Sequence, residues 1–251
     1  MKKEIPVLMY HQFVDKALKN SKVHTYVTAK QFDLQLRMLK LLGYETITFK
    51  DLNKIGLENR FKKKYIVLTV DDGYVNNYEF MLPILKKHNM KAVVYLVEGI
   101  KYNRWDVEKF GESEKLPIME TEMVKDLIRS GLIEIGGHTY THPSLPKLTL
   151  EDKRKEIVES KKATEEKYGI KLVSFAYPYG HLDEESVQVV KEAGYKFAVS
   201  TDTGTGVFTD NLFDIRRSGI DKTTIFDFLR KISYKYSIYK GRKYSQKKER
   251  R

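Results

Sequence analysis

Tyr65-Ile66-Val67-Leu68-Thr69-Val70-Asp71-Asp72-Gly73 is a short apolar run, rich in β-branched residues, that stops on two carboxylates and a glycine. Six residues of this composition read as a buried strand. Asp-Asp-Gly is good turn chemistry, so taken alone it is also consistent with an ordinary solvated turn.

Similar runs recur on both sides. Candidate strands lie at Pro6–Tyr10, Glu45–Thr48, Ala92–Val97, Ile133–Ile135, Leu172–Ala176, Phe197–Ser200 and Phe213–Arg216. Helix-period segments separate most of them: about Ala29–Leu42, Glu79–His88, Glu120–Ser130, Leu150–Tyr168, Glu184–Ala193 and Thr224–Tyr236. Thr28 and Gln31 form a capping-box pattern at the start of the first helix, and Phe32, Leu36, Leu39 and Leu42 give it an apolar face. Gly131, Gly169 and Gly194 each follow a helix, as left-handed C-terminal caps do. Strand–helix alternation over the whole chain implies a parallel sheet, and seven or eight strands favour a closed barrel. The stretch 98–118 reads as a long loop and contains the only tryptophan, Trp105. Long loops in compact domains are often functional.

In such barrels the chemistry sits at the C-terminal ends of the strands. Asp71 and Asp72 end the third candidate strand, and His11 ends the first. His138-Thr139-Tyr140-Thr141-His142 begins 65 residues after Gly73 and follows the fifth. Tyr177-Pro178-Tyr179-Gly180 follows the sixth. Burying two adjacent carboxylates without a cation is costly. Asp72, His138 and His142 offer one carboxylate and two imidazoles, a donor set suited to catalytic zinc and also to iron, cobalt or nickel. That leaves Asp71 over as a base. The spacing of His138 and His142 could be helical, but Gly136-Gly137 precede the pair and Pro143 follows it. Proline disfavours helix at His142 and predicts an extended residue there. Of the other histidines, His88 needs no function near a helix C-terminus, whereas His181 is close to the Tyr-Pro-Tyr turn.

The chain has 251 residues, 41% hydrophobic and 32% charged, without cysteine. Disulfides and thiolate ligands are therefore excluded, and no run approaches the length of a spanning helix. The apolar stretch after Pro6 is too short for a signal-peptide core, which leads to the expectation of a cytoplasmic protein unless a leader has been trimmed. Net charge is +12, and ten Lys/Arg against Glu249 place +9 of it in residues 230–251, leaving +3 for the rest. The expected organisation is a catalytic domain over 1–229 and a basic tail over 230–251, with Tyr234, Tyr236, Tyr239 and Tyr244 among its charges. Such a tail suits an anionic membrane surface, peripherally at its inner face, or simply a solvated end.

The two motifs, Thr69-Val70-Asp71-Asp72-Gly73 and His138-Thr139-Tyr140-Thr141-His142, resemble those of the NodB-like polysaccharide deacetylases, carbohydrate esterase family 4, over roughly residues 5–230. The resemblance implies a distorted (β/α)7 barrel and hydrolysis of an N-acetyl group from an amino sugar. It implies Asp71 as base, Asp72, His138 and His142 as metal ligands, and Tyr179 as the oxyanion N–H donor. The pattern departs from the family where Ala176 stands in place of the arginine of Arg-x-Pro-Tyr. The Asp-x-x-Asp-Trp and late Leu-x-His motifs are not evident either. In this it is similar to the poly-N-acetylglucosamine deacetylase subgroup, whose Tyr-His near the N-terminus corresponds to Tyr10-His11. There His11 would supply the general acid and Arg217 would be the late arginine, with Arg216 as the alternative register. A polymer or a lipid-linked amino sugar remains open as substrate. The competing reading is a non-catalytic glycan-binding or nucleic-acid-binding protein on the same fold.

Overall fold

The computed structural model describes residues 5–18, 21–201 and 211–233, together with 236 and 239. Most of the expected 230–251 tail lies outside the described residues. The strands are β1 (Val7–Tyr10), β2 (Gln12–Val14), β3 (Tyr26–Thr28), β4 (Glu45–Thr46), β5 (Tyr65–Val70), β6 (Ala92–Leu96), β7 (Ile133–Gly137), β8 (Ser174–Ala176), β9 (Phe197–Val199) and β10 (Ser218–Gly219). The α-helices are α1 (Ala29–Leu41), α2 (Phe49–Ile55), α3 (Leu82–His88), α4 (Arg104–Phe110), α5 (Thr121–Arg129), α6 (Leu150–Arg154), α7 (Ser160–Tyr168), α8 (Glu184–Glu192) and α9 (Ile225–Lys231).

Seven strands run in the order β10-β1-β5-β6-β7-β8-β9, all parallel, and β4 pairs with the start of β5. Ile215 bridges to Val199 of β9, and three residues later Ser218 pairs with Leu8 of β1. The segment therefore passes from one edge strand to the other and closes the sheet into a distorted (β/α)7 barrel. This corrects the strand expected at Phe213–Arg216. Its ladder is divided between two neighbours, so only Ser218–Gly219 is a strand.

Every residue of β5 and β6 is buried, because barrel strands are covered on both faces. Phe32, Leu36 and Leu39 pack α1 onto the core, and the Thr28–Gln31 capping box is formed. Four short elements were not expected. α2 starts at a Thr48–Asp51 capping box, α4 lies inside the 98–118 stretch, and β2 pairs with β3 in a separate parallel ribbon. Each is seven residues or fewer, too short for periodicity to stand out. Two expected helices contain π-helical turns, at Asn77–Met81 and Lys155–Glu159.

Candidate metal centre

Asp71 ends β5 and is fixed by its own N–H, which donates to the Tyr10 carbonyl at the end of β1. The chain then turns through Asp72 (φ 75°) and Gly73 (φ 79°). A Cβ on Gly73 would lie 2.7 Å from Leu96 Cδ2, so the turn has both a conformational and a steric need for glycine. Left-handed backbone at Asp72 is one of five positive φ values among described non-glycine residues. Three others, Thr139 (67°), His142 (65°) and Tyr179 (60°), belong to the loops facing it. Strained backbone persists where surrounding contacts over-determine it, and it concentrates at functional sites.

His142 is thus left-handed and not extended, which corrects the expectation drawn from Pro143. The turn is held from outside: His142 N–H donates to Thr139 Oγ1, while the N–H groups of Tyr140 and Thr141 both donate to Glu156. These bonds outweigh the pre-proline preference.

The turn brings both imidazoles onto Asp72. Its Oδ1 lies 3.4 Å from His138 Nε2 and 3.5 Å from His142 Nε2. The three donor atoms lie within 4.8 Å of one another and all three residues are buried. Ligand bonds of about 2.0–2.1 Å around a tetrahedral ion put donor atoms about 3.4 Å apart, so the observed spacing fits an ion at their centre. The donor chemistry fits too. His138 Nδ1 lies 2.7 Å from the Ala176 carbonyl, which fixes the proton on that nitrogen and turns the Nε2 lone pair toward Asp72.

Electrostatics separate the two imidazoles. Burial, reinforced by the positive charge of His138, pushes His142 down to about 3, so it stays neutral. His138 is also disfavoured by burial, but its contact with Asp72 and the charges of both aspartates win and raise it. Asp72 is held below the usual carboxylate range against its own burial, chiefly by His138 and His142.

Asp71 faces a different partner. Arg217, fully buried, grips its two oxygens at 2.6 and 2.7 Å. Arg217 also donates to Ser200 O and Thr69 Oγ1. Burial would raise the Asp71 pKa, but the guanidinium more than offsets this and lowers it. Of the two neighbouring arginines, Arg217 is therefore the one that grips the site aspartate. His11 Nε2 stands 3.9 Å from Asp71 Oδ2, and the His11 side chain keeps 21% exposure.

Aromatic and acidic neighbours complete the site. Trp105, on α4, lies with its ring 3.9 Å from that of His142, and Tyr179 meets the same imidazole edge-on at 4.6 Å. Next to Trp105, Asp106 accepts from the Tyr74 hydroxyl and from Asn103. The sequence pointed to Trp105 only through its place in the long 98–118 loop; nothing in it marked Asp106 or Glu156. His181 meets Tyr179 and Ser144, His88 pairs with Asp33, and His24 meets Lys222.

A parallel barrel carrying a buried carboxylate–imidazole cluster at its C-terminal rim belongs to the class of metal-site hydrolase folds. Residues 58–198 match the polysaccharide deacetylase family model, and the chain belongs to that family. His11 and Arg217 lie outside the matched segment. Protein YxkH of Bacillus subtilis (strain 168) is 27% identical over 215 residues, 85% of this chain and 70% of that one. The poly-beta-1,6-N-acetyl-D-glucosamine N-deacetylase of Staphylococcus aureus (strain MRSA252) is 26% identical over 69% of this chain, which spans 60% of that enzyme's length. Among solved structures, BC0361, a polysaccharide deacetylase from Bacillus cereus, aligns with a TM-score of 0.74 at 29% identity, covering 92% of this chain and 69% of that one. The fold is also shared with the Streptococcus pyogenes deacetylase PplD, with a TM-score of 0.78 at 23% identity, over 93% of this chain and all of that one.

Proposed function

We propose that the protein is a metal-dependent N-deacetylase that hydrolyses the N-acetyl group of an amino sugar in a glycan. The observation that carries this reading is the convergence of Asp72, His138 and His142 at metal-ligand spacing beside the arginine-clamped Asp71. Zinc suits two imidazoles and one carboxylate, as do cobalt, nickel and ferrous iron. When bound, the ion supplies a Lewis acid for the amide carbonyl and lowers the pKa of water from about 15.7 toward 7.

The remaining work falls to this chain's side chains. Asp71, kept ionised by Arg217, takes the proton from the attacking water. The Tyr179 backbone N–H donates to the carbonyl oxygen as it gains charge. His11 delivers a proton to the sugar nitrogen as the carbon–nitrogen bond breaks, so amide and water become amine and acetate. Trp105 and Tyr179 form the aromatic walls. The staphylococcal relative makes poly-N-acetylglucosamine the first polymer to test, with a lipid-linked amino sugar second.

The test is acetate and formate release from N-acylated glucosamine oligomers and from polyprenyl-phosphate-linked amino sugars. Metal-stripped protein is compared with protein reloaded with zinc, cobalt or nickel. Metal-dependent acetate release from the oligomers is expected. Bound metal without release from any substrate would turn the reading to a non-catalytic glycan-binding protein.

A further inference from the structure

Lys64 immediately precedes β5, whose other end carries Asp71, so its surroundings form the end of the barrel opposite the candidate metal centre. Six strand residues at about 3.3 Å each separate the two faces by about 20 Å. The chain enters β5 through Arg60-Phe61-Lys62-Lys63-Lys64, in which the last four residues are exposed. Next to this stretch α1 ends on Leu41, 78% exposed, and Leu42, 37% exposed. The two segments touch: Lys64 Nζ donates to the Leu42 carbonyl at 3.0 Å and lies 4.4 Å over the Tyr44 ring. Phe61 is 37% exposed, with the Arg60 guanidinium 4.2 Å over its ring. A recess of about 610 Å³ beside them is lined in part by Lys40, Lys54 and Lys91, with Glu45 and Asp51 as its acids. Those acids are already paired, Glu45 with Lys63 and Asp51 with Lys91.

We infer that this end of the barrel docks on an anionic phospholipid bilayer through Leu41, Leu42 and Phe61, ringed by Arg60, Lys62 and Lys64. Single exposed apolar residues are ordinary on a protein surface. Two leucines and a phenylalanine set among lysines form an interfacial pattern, in which apolar tips enter the headgroup–acyl boundary and long basic side chains snorkel to lipid phosphates. A nucleic acid would match the charge and leave the leucines without a partner. Charge complementarity extends into the sequence. The Tyr44 hydroxyl donates to the Ile232 carbonyl, so the chain leaves α9 at this same end, and eight further Lys/Arg follow Ile232.

Docking here turns the metal centre away from the bilayer. Resting on the proposed deacetylase reading, this makes the substrate a glycan strand reaching about 20 Å beyond the surface, and excludes a sugar joined directly to a lipid phosphate.

The test is co-sedimentation of the full chain with phosphatidylcholine vesicles with or without phosphatidylglycerol. It needs no catalysis, so its failure leaves the deacetylase reading standing, and a failed acetate assay leaves the docking standing. Wild type is expected to bind only the anionic vesicles. Arg60→Gln/Lys62→Gln/Lys64→Gln is expected to weaken binding at least tenfold, given about fivefold per basic residue at an anionic surface. Leu41→Ser/Phe61→Ser is expected to weaken it similarly, and Leu150→Ser, exposed at the start of α6 just after the His138–His142 loop, to leave it unchanged. Circular dichroism and melting curves check that each variant is folded. Orientation has its own readout. Brominated lipid should leave the fluorescence of wild-type Trp105 intact and quench that of a Phe61→Trp/Trp105→Phe protein. Wild-type binding by both face variants, or quenching of Trp105 alone, would overturn the inference.

Discussion

Arg217 holds both carboxylate oxygens of Asp71 from a position 146 residues further along the chain. The pair is buried, so removing one partner leaves an uncompensated charge. Arg217→Met is expected to cost about 3–5 kcal/mol of stability, the usual range for a broken buried pair, read as the shift in urea midpoint. The sign with pH follows from Asp71. Its folded pKa is below the unfolded value, so its contribution is present above the ordinary carboxylate range and fades as pH falls through the folded value. In Arg217→Met, burial is opposed only by the weaker pull of His138 and His11, so that pKa rises and acid unfolding should begin at higher pH than in wild type. A wild-type midpoint and acid profile would refute the account of this pair.

Much of the candidate site was legible in the sequence because its candidate ligands sit in two contiguous motifs. Asp71-Asp72-Gly73 announces a strand end, and two histidines between a glycine pair and a proline announce a loop. What sequence could not supply is how residues distant along the chain meet. Neighbours on a strand point to opposite faces, so nothing in Arg216-Arg217 tells which one faces Asp71 until the register of the closing segment is known. Glu156 is one of many helix glutamates until it is seen holding two loop N–H groups. The left-handed His142 went against a sound local rule because tertiary hydrogen bonds overruled it.

Asp71→Asn and His138→Ala should separate base from ligand. Asp71→Asn removes no metal donor, so the metal content should stay at wild-type level while turnover falls about 10²–10⁴-fold, the range for loss of a general base. His138→Ala removes a donor and should lose both metal and turnover. Metal analysis after dialysis, beside the acetate assay, reads both. Full activity in Asp71→Asn would remove Asp71 from the role of base.

Metal affinity should follow one proton. His142 is neutral above about 3, and Asp72 is ionised throughout the working range. His138 is raised above its ordinary value of 6.5, so it is the ligand that must lose a proton to bind. Below the His138 pKa, the zinc dissociation constant should therefore rise tenfold per pH unit, with one proton released per ion. Competition titrations between pH 5 and pH 7 check this. A hundredfold rise per unit would mean that both imidazoles bind protons and would contradict the environment assigned to His142.

The two candidate ligand histidines are oriented by different means, and this gives the last prediction. His138 is fixed by its Nδ1 contact with the Ala176 carbonyl, whereas His142 Nδ1 has no hydrogen-bond partner among the described residues. What fixes the His142 ring is aromatic contact, Trp105 on one side at 3.9 Å and Tyr179 edge-on at 4.6 Å. Trp105 thus serves as a positioning residue, doing through ring contact what a hydrogen bond to Nδ1 would otherwise do. Trp105→Ala should weaken metal binding about 10–100-fold, as loss of an outer-shell partner does, and Trp105→Phe should restore most of it. Trp105 is the only tryptophan, so it also reports occupancy: cobalt or nickel held by His142 should quench its fluorescence, and His142→Ala should abolish the quench. Unchanged metal affinity in Trp105→Ala would mean that the backbone turn alone, pinned by Thr139 and Glu156, orients the imidazole.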